Sequence, residues 1–94
     1  MPVGPVAKVG GGGTLVGGRA IILGPGAPTV IAEGFPVSTM FDDVAPHGEP
    51  PHAKALVING SGTVFAMGRP VVRNGDPASC GDVVVSASTV IVGG

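Results

Sequence analysis

A chain of 94 residues with a net charge of −1 has the length of one small domain, taken as residues 1–94, and no room for a separate catalytic module. The near-neutral charge, with no tryptophan or tyrosine, excludes the basic footprint and stacking rings of nucleic-acid binding, and apolar runs of about four or five residues are too short for membrane insertion. Glycine and proline number 18 and 10, but sixteen valines and five isoleucines are too apolar for a disordered tail, so the chain reads as a folded all-β protein.

The first element is Pro5-Val6-Ala7-Lys8, which recurs as Pro36-Val37-Ser38-Thr39 and Pro70-Val71-Val72-Arg73. Out of phase with it runs a second pattern. Ile21-Ile22-Leu23 is followed by Thr29-Val30-Ile31-Ala32-Glu33-Gly34, Val57-Ile58 by Thr63-Val64-Phe65-Ala66-Met67-Gly68, and Val83-Val84-Val85 by Thr89-Val90-Ile91-Val92-Gly93. A period of about thirty residues marks a supersecondary unit that cannot bury its apolar face alone. Three copies in so short a chain predict pseudo-threefold symmetry.

Each copy reads as a β-hairpin of apolar triplet, turn and second triplet. The expected turns are Gly24-Pro25-Gly26-Ala27-Pro28, Asn59-Gly60-Ser61-Gly62 and Ala87-Ser88. Asn-Gly is the strongest of these signals, because it tolerates the positive φ of a tight hairpin. The same triplets could also serve as core strands of a sandwich. Leu23, Val30, Ile31, Val64, Phe65, Val90 and Ile91 are expected in the core or on a flat apolar base.

Three irregular segments, 5–19, 36–54 and 70–82, alternate with the hairpins and are expected to converge at one end of the axis. Within them, 10–14 is a glycine-rich turn with no Lys-Ser/Thr to make it a phosphate loop. Asp42, Asp43 and Asp76 suit turn capping through their side chains. Lys8 and Arg73 are candidates to pair with these aspartates in exposed ion pairs, Arg73 as a structural residue.

Both histidines and the single cysteine fall in two of these segments: His47 and His52 in the second, Cys80 in the third. Two imidazoles and a thiolate suit zinc, and the prolines between His47 and His52 restrict that loop. The turn-rich context of Cys80 argues against a core thiol. A lone cysteine cannot form an intramolecular disulfide, so a metal is the staple open to a chain this small. The fourth ligand is open: water, a carboxylate such as Asp42, Asp43 or Asp82, or nothing. Glu49 beside an open zinc position would resemble a small metallohydrolase, and His47-Gly48-Glu49 matches the opening of a deaminase signature whose cysteine half is missing.

The Pro-Val segments alternating with hairpins, with Gly75-Asp76-Pro77 and Ser79-Cys80-Gly81 after the third, resemble PAAR-repeat proteins over essentially the whole chain. The resemblance implies a small cone of three β-hairpins capping a trimeric spike, VgrG-like or a phage spike β-helix, with one copy per trimer. Such caps serve type VI secretion systems and contractile phage tails in membrane puncture. It also implies a structural zinc near the apex, bound in the family by three histidines and a cysteine, with His47, His52 and Cys80 as three of the ligands. The first-loop histidine of the family is replaced here by 10–14. A chain ending at Gly94 is expected to be a stand-alone tip.

The same reading makes the protein a non-enzyme. The base residues Val30, Ile31, Val64, Phe65, Val90 and Ile91 would meet the spike by strand addition and apolar contact. No secretory leader is expected, so the chain would be made in the cytoplasm and delivered outside on firing. The alternative of another class is a β-rich adhesin or receptor-binding tip.

Overall fold

Proline and glycine leave only short runs free to pair, and the strands are correspondingly brief. The computed structural model describes residues 4–48, 54–88 and 90–92. Its strands are β1 (Gly4–Pro5), β2 (Thr14–Val16), β3 (Ile22–Gly24), β4 (Ala27–Ala32), β5 (Phe35–Val37), β6 (Asp43–Val44), β7 (Ala55–Leu56), β8 (Phe65–Ala66), β9 (Arg69–Pro70), β10 (Val84–Ser86) and β11 (Ile91–Val92). No helix forms among the described residues, so the fold is all-β, as the composition requires.

The repeat is real, but its pairing is shifted from the one expected. Each Thr-Val-apolar segment pairs with the Pro-Val segment that follows it. β4 lies antiparallel to β5 with Ile31 opposite Pro36, and β8 to β9 with Phe65 opposite Pro70. The third pair joins the two ends of the chain: β11 lies against β1, with Ile91 opposite Pro5. The first two turns are Glu33-Gly34 and Met67-Gly68, whose successive positive φ values of 52° and 87°, and 52° and 81°, are those of hairpin turns that follow the strand twist.

Asn59-Gly60 makes no such turn, because Gly60 stays out of the positive-φ region. Its carbonyl accepts from Arg73 Nη2 at 3.2 Å, and Ser61 Oγ accepts from the Thr63 and Val64 amides at 3.1 and 2.9 Å. The apolar triplets instead pair with the irregular segments: β3 with β6, β10 with β2, and Val57 with Ala78.

Threefold order is clearest in the backbone of the Pro-Val motifs. The Ser38 amide donates to the Ala7 carbonyl, Val72 to Ser38, and Ala7 to Val72, each at 2.9 Å. Three equivalent residues thus close a ring of hydrogen bonds. A second ring runs from Val9 to Pro36, Met40 to Pro70 and Asn74 to Pro5, at 2.8, 2.8 and 2.9 Å. Lys8, Thr39 and Arg73 bridge to Val37, Val71 and Val6 in the same cycle. The chain packs against itself as three protomers would.

Two apolar clusters follow from this arrangement. The hairpins bury Val6, Val37 and Val71 with Ala27, Ala32, Ala66 and Val92. The loops bury Ile22, Val57 and Val84 with Val16, Val44, Ala78 and neighbours. Valine and alanine dominate because three equivalent side chains must share the space around one axis.

The three copies solve the same turn with different chemistry. Asp42 Oδ2 accepts from the Thr39 amide at 2.9 Å and Asp76 Oδ2 from the Arg73 amide at 2.8 Å, while in the first copy Thr14 Oγ1 accepts from the Lys8 amide at 3.0 Å. Asp42 and Asp76 therefore cap turns as expected, and Thr14 stands in where the sequence has no aspartate. The ion pairs differ from expectation. Arg73 and Asp76 are fully buried and joined by Nη2–Oδ1 at 3.0 Å, so this pair is not exposed. Lys8 reaches Glu33 at 2.6 Å rather than an aspartate.

Leu23, Val30, Ile31, Val64, Phe65, Val90 and Ile91 are all exposed, so none belongs to the core. Their alternate neighbours point inward instead: Ala32, Ala66 and Val92 on the hairpins, and Ile22 beside Leu23.

Candidate metal centre

The irregular segments fold into three small loops at the end of the loop-side cluster. The first turns between Val16 and Ala20, whose amides and carbonyls pair; the second between Val44 and Ala55; the third between Ala78 and Asp82, where the Ala78 amide donates to the Asp82 carbonyl at 2.8 Å. Each loop is fastened to a neighbouring triplet in cyclic order: Gly17 to Val83, Ala45 to Ile21 and Ser79 to Leu56, at 2.8, 2.9 and 2.7 Å. That cycle brings the three loops together, as the alternation of segments and hairpins implied.

The tight third turn sets Cys80 and Asp82 on the same side, facing His47 of the second loop. Cys80 Sγ lies 3.8 Å from His47 Nε2 and 3.7 Å from Asp82 Oδ2, and His47 Nε2 lies 3.0 Å from Asp82 Oδ2. Cys80 is buried at the edge of the loop-side cluster, contrary to the expectation that it avoids the core. The first loop contributes Arg19, whose Nη2 is 3.4 Å from Asp82 Oδ2. Asp82 is thus the carboxylate that all three loops touch.

These atoms suit a metal ion. The Nδ1 of His47 lies 2.9 Å from the Ala45 carbonyl, which can only accept, so Nδ1 carries the proton and Nε2 faces the site. An Nε2 lone pair and a carboxylate oxygen both accept, and a cation between them would satisfy both. Tetrahedral ligands at zinc bond lengths stand about 3.3–3.8 Å apart; both sulfur contacts match that spacing, while the His47–Asp82 contact at 3.0 Å is shorter and would have to widen around an ion. His47, Cys80 and Asp82 could hold a metal, their donor atoms lying within 4.8 Å of one another.

Of the sequence-derived ligands, His47 and Cys80 come together, while His52 lies outside the described residues, as does Glu49. Among the carboxylates considered, Asp82 reaches the site. Asp42 is buried in its own turn, bonded to Gly26, Ser38 and Thr39. Residues 10–14 are not the first loop's contribution: Thr14 is engaged by Lys8, and the loop tip is Gly17-Gly18-Arg19. Arg19 was missed because it is no metal ligand. It stands two residues before the first triplet, as Asp82 stands directly before the third, and that place in the loop ahead of a triplet was the available signal.

Comparison with protein families supplies the last observation. The PAAR motif model matches residues 10–86 of the chain. The chain belongs to the PAAR-motif family. A comparison with curated proteins finds no match. PAAR-motif proteins sit on spike proteins and are structural rather than enzymatic, which is consistent with a spike-tip protein of a contractile injection system. No helix among the described residues is long and apolar enough to cross a membrane.

Proposed function

We propose that this PAAR-motif chain caps the blunt end of a trimeric β-helical spike and sharpens it for membrane puncture in a type VI secretion system or contractile phage tail. The observation that carries this reading is the closed ring of Ala7, Ser38 and Val72 hydrogen bonds. One polypeptide with three equivalent faces offers a threefold spike the same contact three times. Val30 and Ile31, Val64 and Phe65, and Val90 and Ile91 are the three exposed apolar pairs that would make it. The protein would be made in the cytoplasm and carried outside on the spike.

At the loop end, zinc bound by His47, Cys80 and His52 would tie the second and third loops together. When bound, the ion supplies a structural cross-link rather than reactivity. Its binding free energy would be folding free energy, on the order of 10 kcal/mol in small zinc peptides. His47 presents Nε2 through its Nδ1–H bond to Ala45, and Cys80 would bind as thiolate.

Stoichiometry tests the central claim. The chain mixed with a trimeric spike and weighed by native mass spectrometry should give one copy per three spike chains. Three copies per trimer, or no complex, would remove the reading.

A further inference from the structure

We infer that Asp82 is a ligand of the metal in this chain, and that the first loop serves the site through Gly17 and Arg19, which position the carboxylate. The inference rests on the metal reading above and concerns which residues complete the site. The first loop turns through Gly17, Gly18, Arg19 and Ala20, and none of these side chains can donate an electron pair to a metal: a guanidinium has donors only. The corner that this loop would otherwise fill is approached by Asp82 instead. Its Oδ2 is the oxygen that faces both His47 Nε2 and Cys80 Sγ, at 3.0 and 3.7 Å.

Two independent features of the first loop aim that oxygen. Arg19 Nη2 lies 3.4 Å from Oδ2, so one lone pair of the oxygen can accept from the guanidinium while the other faces the ligands. Gly17, at φ +62°, packs its bare Cα side on the same carboxylate: a Cβ there would lie 2.7 Å from both Cγ and Oδ2 of Asp82. Any side chain at 17 would push the carboxylate out of line. Gly17 is also the loop's anchor, its amide donating to Val83 beside Asp82. The ring nitrogen is already oriented for the same point by Ala45. Binding would release the Cys80 thiol proton to solvent and leave the carboxylate oxygen, imidazole nitrogen and thiolate sulfur on one ion. Removal of a group that orients a ligand typically weakens metal binding about 10–100-fold, which sets the scale expected for Arg19 and Gly17.

The test is cobalt(II) titration of the full apo-protein, read by visible absorption, with zinc(II) affinity measured against a chromogenic chelator. The wild type should take up one ion. Asp82→Asn should bind at least about 100-fold more weakly with an altered cobalt spectrum, since losing a ligand should cost no less than the upper end of losing a group that orients one. Asp82→His, which supplies a donor without the charge, should restore stoichiometry with a spectrum of greater nitrogen character. Arg19→Ala should weaken zinc about 10-fold at an unchanged spectrum, Arg19→Lys should recover part of that loss, and Gly17→Ala should weaken it at least as much as Arg19→Ala. Asp82→Asn binding as tightly as wild type, with the same spectrum, overturns the assignment of Asp82 while leaving a metal site in place. Arg19→Ala at wild-type affinity overturns the positioning role. A wild type that binds no ion overturns the metal reading and this inference with it.

Discussion

Pro5 and Ile91 lie opposite one another as antiparallel partners, in the same register as Pro36 with Ile31 and Pro70 with Phe65. The third pair draws its strands from β1 and β11, far apart in sequence, which together occupy the place of one repeat. Circular permutation should be tolerated: joining the ends with a short glycine linker and opening the chain at Glu33-Gly34 or Met67-Gly68 should give a folded protein. Removing residues 1–5 should instead strip the pairing with Ile91 and Val92 and the Asn74 amide bond to Pro5. A loss of about 2 kcal/mol corresponds to a fall of roughly 8–16 °C in Tm for a domain of this size, which a thermal melt would read directly.

The Arg73–Asp76 pair carries a different expectation. Both side chains are buried, and Asp76 also holds the Arg73 amide and Nε, at 2.8 and 3.2 Å. Asp76→Ala removes the carboxylate paired with a buried guanidinium, and breaking a buried pair at one partner costs about 3–5 kcal/mol. Replacing both, as Arg73→Met with Asp76→Ala, should cost less than Asp76→Ala alone. Urea unfolding of the three proteins decides it, and additive losses in the double variant would show that the pair is not coupled.

Much of the architecture was legible because symmetry leaves a signature that composition cannot hide. The three Pro-Val motifs mark the three residues of the backbone ring, and the second and third segments together named His47 and Cys80. What misled was local turn chemistry. Asn59-Gly60 carries the strongest hairpin dipeptide, yet the hairpins turn at Glu33-Gly34 and Met67-Gly68, whose first residues have no special preference for positive φ. Tertiary pairing selected those turns: the inward alternation of Ala32 and Ala66 beside exposed Ile31 and Phe65 demands that register. The Thr-Val-apolar segments were expected in the core or on a base, and the core half of that alternative falls because Ala32, Ala66 and Val92 are the neighbours that face inward. Asp82 was one of three plausible carboxylates, and only the fastening of loop to triplet distinguishes it from Asp42 and Asp43.

Phe41 sits at φ 73°, where the equivalent residues of the other copies are Gly10 and Gly75, at φ 86° and 91°. All three amides make the same bond, to Ile22, Val57 and Val84 carbonyls. A bulky side chain in the left-handed region costs roughly 1–2 kcal/mol, and Phe41 is 58% exposed, so packing returns little. Phe41→Gly should therefore raise stability, by about 0.5–1 kcal/mol after the entropy of the added glycine is subtracted. A lower Tm in the variant would show that the ring packs more than its exposure suggests.

The metal reading predicts a linkage between chelation and stability. A strong chelator should lower the Tm of the wild type, since an ion bound only to the folded state stabilises it by mass action. In Cys80→Ala the same chelator should have little effect, because the sulfur ligand has already gone. Equal shifts in the two proteins would place the chelated ion somewhere other than the site of His47, Cys80 and Asp82.

Phe65 offers the sharpest separation of docking from folding. It is 56% exposed and its equivalents Ile31 and Ile91 are 55% and 57% exposed, so a charge at any of them can stay hydrated. Surface substitutions of this kind usually change stability by no more than about 0.5 kcal/mol. At an interface, an apolar anchor seated against a partner is worth about 2 kcal/mol or more when truncated, and a carboxylate buried there would cost further. Phe65→Asp should accordingly keep the wild-type Tm and reduce affinity for a trimeric spike at least about 30-fold, since every 1.4 kcal/mol is tenfold. Ile31→Asp and Ile91→Asp should behave alike, because the three positions are equivalent in register and a threefold partner meets each in the same way. Unequal losses at the three would mean that the partner lacks threefold symmetry, and wild-type affinity in all three would move the docking surface away from the hairpins.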